Sequence, residues 1–312
     1  VFRVGAAALR VVAESAPSIQ QGCGVYAASL LDQRMRRLVA LQLDVLADRD
    51  PEPLHQMRVA CRQLRITLEQ FAPALNLPEQ VSPQRAARIG SDLGLSRDLD
   101  VLRHRLEHQW QPLLPEREQA PLRKLLKQLK RERKLAFAVL TDTLKGRRYL
   151  KLLARLQAWL REPVFTPMGE EPIAVWWSEL QQPVLAGLFT LPGWWATNPY
   201  DPQAVEGLHQ LRRRLKRARY GLANLACFQP EAFSPCLDQL KALQAVLGDL
   251  QDLVVLEHTL ARLLDGAPDA VMPSFCSLLA EARDRSWMIW LERSAVLRSV
   301  EGRQGLLRLQ QG

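Results

Sequence analysis

The chain has 312 residues, 47% of them hydrophobic, and a formal charge of +9 from 42 Lys and Arg against 33 Asp and Glu. That length fits two ordinary domains or one large duplicated one, with apolar content enough for a substantial core. The charge points to an anionic partner such as nucleic acid, a membrane surface or polyphosphate, and the lack of any apolar run of about 18 residues excludes a membrane-spanning helix.

Residues 1–17 read as an N-terminal extension holding a short helix that Pro17 interrupts. Its apolar stretch is broken by Arg10 and Glu14 and makes a poor signal peptide. A long helix is expected from Ser18 to Leu46, carrying Arg34, Arg36 and Arg37, before the turn DRDPEP at 48–53. The next stretch, LHQMRVACRQLRITLEQF from Leu54 to Phe71, is amphipathic at helical spacing. Leu54, Met57, Cys61, Leu64, Leu68 and Phe71 form its apolar face. His55, Arg58, Arg62 and Arg65 form a basic stripe within an arc of roughly 80°, beside that face and not opposite it. Glu69 is the only acid in the stretch, so ion pairs along the helix do not account for the stripe.

One helix is expected over about Ser82–Gln109 and another over about Pro115–Leu144, with residues 147–161 continuing or bending it. The second of these carries Arg123, Lys127, Lys130, Arg131 and Lys134. Residues 162–203 hold seven of the 20 prolines and the pairs Trp176–Trp177 and Trp194–Trp195. They read as a linker containing one helix near Ile173–Phe189, with the tryptophans packed between two halves of the molecule.

After the linker the pattern starts again. Adding 154 to the number of Leu54 gives Leu208, and LHQLRRRLKRARYGLANL repeats the first stretch without a gap. Its stripe is His209, Arg212, Lys216 and Arg219, with Arg213 and Tyr220 close enough on the helical wheel to join it. The same offset carries LGLSRDLDVL (93–102) onto LGDLQDLVVL (247–256), pairing Gly94 with Gly248 and Asp98 with Asp252. A register held over about 50 residues indicates internal duplication. The fold expected is therefore all-α: two helical bundles, over residues 18–161 and 204–312, related by a pseudo-twofold axis around a basic groove or pore. The recurring glycines suggest close helix–helix approach, and the aspartates suggest structural partners that hold stripe arginines in place.

Five cysteines, an odd number with no CxxC spacing, fit a reduced cytoplasmic chain and neither a disulfide framework nor a zinc site. His104 and His108 stand at i,i+4 without an evident third ligand, so no metal is expected. Phosphate loops, zinc-protease helices, nucleophile elbows and dinucleotide loops are all absent from the sequence.

LHQMRVACRQLR with LGLSRDLDVL, and LHQLRRRLKRARY with LGDLQDL, resemble the two halves of a CHAD domain over roughly residues 20–300. The resemblance implies a helical domain that binds inorganic polyphosphate in a basic central groove, without a cofactor and without catalysis. It also implies an association with polyphosphate granules. His55, Arg58, Arg62 and Arg65 fall on the first family motif, and His209, Arg212, Lys216, Arg219 and Tyr220 on the second. Arg213, Lys127, Lys130 and Lys134 are counted with the polyphosphate ligands, and phosphate or sulfate is expected to mimic the polymer. Gln63 departs from the basic residue that the family often has there. No ExExK motif of the triphosphate-hydrolysing CYTH domains is present. Two alternatives remain open: a helical nucleic-acid-binding protein, for which the stripes have few aromatic residues, and an enzyme acting on phosphoanhydrides, for which Asp98 and Asp252 are the only carboxylates at hand.

Overall fold

The computed structural model describes residues 17–309, so the expected helix over 1–16 lies outside the described residues. The first half contains α1 (Cys23–Ala47), α2 (Pro51–Gln70), α3 (Pro83–Asp92), α4 (Gly94–Arg105), α5 (Glu116–Lys145) and α6 (Arg147–Arg161). The linker contains α7 (Pro167–Glu170) and α8 (Trp177–Leu185). The second half contains α9 (Pro202–Ala223), α10 (Pro230–Leu263), α11 (Pro268–Val271), α12 (Pro273–Arg298) and α13 (Val300–Arg308). No strand forms among the described residues, and none of their helices is long and apolar enough to cross a membrane.

The two stripe helices begin in the same way. Asp50 accepts a hydrogen bond from the Glu52 amide and Pro51 opens α2; Asp201 accepts from the Gln203 and Ala204 amides and Pro202 opens α9. In each case the aspartate satisfies N–H groups that the first turn leaves free, and the proline needs no such partner. The apolar face of α2 is buried throughout, with Leu54 3%, Leu64 1%, Leu68 0% and Phe71 0% exposed. Each such side chain contributes roughly 1.5–3 kcal/mol.

Several boundaries differ from the periodicity. The stretch 82–109 is two helices, parted by the single turn residue Leu93, which keeps right-handed helical angles (φ −73°, ψ −17°). It then widens into a π turn over Leu106–Trp110. Gly146 separates α5 from α6. In the linker only Trp177–Leu185 forms an α-helix of more than one turn, flanked by single 3-10 turns; Gly187, at φ 68°, opens the turn that follows. One tryptophan of each pair is buried and the other is not: Trp177 is 5% and Trp194 0% exposed, whereas Trp195 is 55% exposed. Trp194 packs on Trp290 of α12, and Trp177 donates to the Leu309 carbonyl (3.0 Å), so both serve the second half. The start of the linker is strapped instead to the first half, through Thr166 N–H to the Ala74 carbonyl and Cys23 N–H to the Glu171 carbonyl.

The buried apolar residues fall into two clusters, and neither follows the halves of the sequence. The larger joins α1, α2 and α6 to α8, α9 and parts of α10 and α12. The smaller joins Leu99, Leu102, Leu122 and Leu125 of α4 and α5 to Leu253, Leu256, Leu260 and Phe275 of α10 and α12. Between α2 and α9, Asn224 donates to Gln70 Oε1 (2.9 Å), and Gln70 donates to the Gly221 carbonyl (3.1 Å). Glu118 of α5 is wholly buried and accepts from the Ser274 and Phe275 amides (2.9 and 3.0 Å), capping α12 from the other half.

Candidate functional site

Helices α2 and α9 lie against each other, and residues of both stripes line two adjoining cavities. The first cavity, of about 390 Å³, has His55, His209, Arg97 and Arg105 in its wall. The second, of about 540 Å³, has Arg65, Arg213, Arg214 and Arg217 in its wall, with Glu69 as their acid. Five residues line both: Arg58, Arg62, Asp98, Arg212 and Lys216. Four of the five are basic, so the two cavities share a cationic waist.

The cations of the waist are not equally partnered. Arg58 Nη1 donates to the Gly94 carbonyl (2.8 Å) and to Asp98 (2.7 Å), tying α2 to α4. Asp252 is taken by Arg105 of α4 (2.7 Å), which also reaches Asp249 (2.9 Å). Among the described residues, Arg62, Arg212 and Lys216 have no ion-pair partner within 4.0 Å. The Nε of Arg212 is buried with no hydrogen-bond partner among the described residues. An unpaired buried donor of this kind costs about 1–3 kcal/mol.

The titration behaviour follows from this crowding. Burial, then the charges of Arg212 and Arg62, push Lys216 from a lysine's usual 10.5 down to about 7, against the opposing pull of Asp252. Burial also lowers Arg212, with Asp252 opposing. His55 is held below 6.5 by burial and by Arg97. Burial raises Asp252 despite Arg105 and Arg212. The waist is therefore a place where the protein holds positive charge against both desolvation and mutual repulsion.

The repeated glycines turn out to face arginines. A Cβ on Gly94 would stand 3.6 Å from Arg58 Nη2, and one on Gly248 would stand 3.9 Å from Arg212 Nε. Both are ordinary contact distances, so the glycines do not mark close helix–helix approach. That approach occurs at Gly193 and Gly207, where a Cβ on Gly193 would lie 2.4 Å from the Gly207 carbonyl oxygen.

His55, Arg58, Arg62, Arg65, His209, Arg212, Arg213 and Lys216 all line one cavity or both. Arg219 and Tyr220 line neither; Tyr220 lies under the guanidinium groups of Arg62 (5.7 Å) and Arg219 (4.7 Å). Lys127, Lys130 and Lys134 also line neither and are exposed on α5, whose buried face is Leu122, Leu125 and Leu129. Periodicity put them on one helix face but carried no information on which way that face turned. His104 and His108 stack on each other at 4.3 Å on the surface. Arg97 and Arg105 were missed. Arg97 had a usable signal, because the 154-residue offset pairs it with Gln251 and both line the first cavity. Arg105 had none, since its counterpart is Thr259.

A family model described as CHAD domain matches residues 29–261. Two curated relatives, both uncharacterized proteins of Mycobacterium tuberculosis strains, are each 28% identical over 208 residues, covering 65% of this chain. The chain spans only 39% of their length. The crystal structure of the CHAD domain from the plant Ricinus communis superposes with a TM-score of 0.64 at 23% identity, over 99% of this chain and 96% of that one. PptA from Streptomyces chartreusis superposes with a TM-score of 0.68 at 14% identity, over 88% of this chain and 99% of that one. At these identities the two structures speak for the fold.

Proposed function

The chain belongs to the CHAD domain family, and from that premise we propose that it binds inorganic polyphosphate without altering it, along the basic waist and the two cavities that share it. The observation that carries the reading is the meeting of Arg62, Arg212 and Lys216, from two different helices, with no carboxylate among the described residues paired to any of them. Phosphate oxygens accept the donors these side chains leave free, and charge-assisted bonds of this type are the strong ones. Phosphate or sulfate ions act as short mimics of the polymer. In the cell, polyphosphate granules are the matching destination.

The binding unit we propose is a duplicated one, with repeats over 18–161 and 204–312 about a pseudo-twofold axis. Two contacts support it. Gln70 and Asn224 differ by the repeat offset of 154 and hydrogen-bond to each other, as residues beside such an axis do. Gly94 faces Arg58 as Gly248 faces Arg212.

The competing readings find less support. Tyr220, the aromatic residue of the stripes, lies against Arg62 and Arg219 and lines neither cavity, so it is not placed to stack bases there. The carboxylates nearest the waist are engaged by Arg58 and Arg105 and are not grouped for metal binding.

Calorimetry with size-fractionated polyphosphate, and competition by duplex and single-stranded nucleic acid at fixed salt, tests the proposal. One saturating event per chain is expected, with affinity rising steeply with polymer length and then levelling once a chain engages both cavities. Equal competition by nucleic acid would discard polyphosphate as the ligand. Two independent sites of similar affinity would discard the shared waist.

A further inference from the structure

The two cavities have different chemistry. The second is ringed by arginines. The first, beyond the waist, also has Val101, Leu102 and Trp110 from the first half and Leu253, Val255 and Leu256 of α10 in its wall. A bare phosphate chain in this cavity is met by His55, His209, Arg97 and Arg105 and gains nothing from the apolar part of the wall. At about 390 Å³ the first cavity falls within the roughly 300–1,000 Å³ of small-molecule sites, which are mostly apolar with a few placed polar groups. One such group is present. His209 Nδ1 donates to Gln251 Oε1 (2.7 Å), which fixes that amide and leaves its nitrogen without a protein partner among the described residues.

We propose that the first cavity takes the nucleoside of a nucleoside polyphosphate, whose phosphate chain lies on the waist. The base packs between the Trp110 side and the Val255 side and meets the free amide N–H of Gln251. Aromatic stacking of a base is tolerant of base identity, so the class is a nucleoside with a long phosphate chain and not one particular base. A cavity of about 390 Å³ has room for one base and not for a run of them, which separates this ligand from a nucleic-acid strand. The inference rests on the polyphosphate reading above, because the waist must hold the phosphates for the cavity to receive what they carry.

The test is calorimetry on the full chain with tripolyphosphate, adenosine 5′-tetraphosphate and farnesyl diphosphate. Adenosine tetraphosphate is close to tripolyphosphate in charge and is expected to bind about tenfold more tightly, equivalent to about 1.4 kcal/mol. Trp110→Leu, which keeps an apolar side chain, and Val255→Ser, at an exposed position, are each expected to abolish that advantage. Tripolyphosphate should stay within about twofold of its unmodified affinity in both variants. Equal affinity of the two anions for the unmodified protein would overturn the proposal. So would an advantage that survives both substitutions, or one that the farnesyl compound shares in full. Failure of tripolyphosphate and the nucleotide alike to bind would overturn the reading of the waist, and this proposal with it.

Discussion

Arg58 reaches the Gly94 carbonyl and Asp98, whereas its counterpart Arg212 has a buried Nε with no partner among the described residues. Their alanine variants should therefore part company. Arg212→Ala is expected to weaken polyphosphate binding by about 1.5–3 kcal/mol, the range for bonds to charged groups, with folding stability almost unchanged. Arg58→Ala should weaken binding too, but also lower stability by about 1–3 kcal/mol, because it removes the two bonds that tie α2 to α4 at Gly94 and Asp98. Denaturant titration beside calorimetry separates the two, and equal stability loss in both would mean that Arg212 is structural. Lys216 gives a pH signature. It is surrounded by Arg212 on its own helix, Arg62 and Arg58 on α2 and Asp252 on α10, and its value falls from 10.5 to about 7. Between those values the unfolded chain holds a proton that the folded chain has released, so this lysine's contribution to stability rises with pH across that window. A bound anion favours the charged form. Affinity should then be strongest below about pH 7 and fall as pH rises above it, and Lys216→Met should flatten that fall. An unchanged slope in the variant would take Lys216 out of the site.

Helices α2 and α9 were legible because their apolar faces recur at helical spacing and their stripes repeat in register. The role of α4 was not, because Leu93, the turn residue that parts it from α3, keeps helical angles and carries no breaker signal in the sequence. Its arginines reach the site only through that packing. The glycines show the same limit. Sequence marks where a side chain is missing, not what fills the space. Gly193→Ala would force a Cβ to within 2.4 Å of backbone at Gly207, and should cost about 1–3 kcal/mol through displacement of the linker from α9. Gly248→Ala meets only Arg212 at 3.9 Å and lies inside α10, so it should be neutral or stabilising by up to about 1 kcal/mol. Thermal melts of the two variants check the contrast, and a severe loss at Gly248 would restore the close-approach reading for that position.

Both apolar clusters draw on both halves of the chain, and Glu118 caps a helix of the opposite half. Cutting the backbone does not cut the core. Cleavage engineered at the turn around Gly187 should leave two pieces that co-elute in size-exclusion chromatography and melt in a single transition. Pieces that separate under native conditions would show that each half is self-sufficient. This part of the architecture was invisible in the sequence, where the repeat suggested two bundles about a shared groove but not which buried residues meet; burial is a property of pairs, and the pairs here cross the linker. The contact between Gln70 and Asn224 carries one more consequence. A carboxamide both donates and accepts, so it can bond to a copy of itself, which a carboxylate or a guanidinium cannot do. On the duplication proposed above, a single ancestral half with either amide at this position already had a self-complementary seam for dimerisation. Fusion of two such genes then needed no new chemistry at the joint, only a linker.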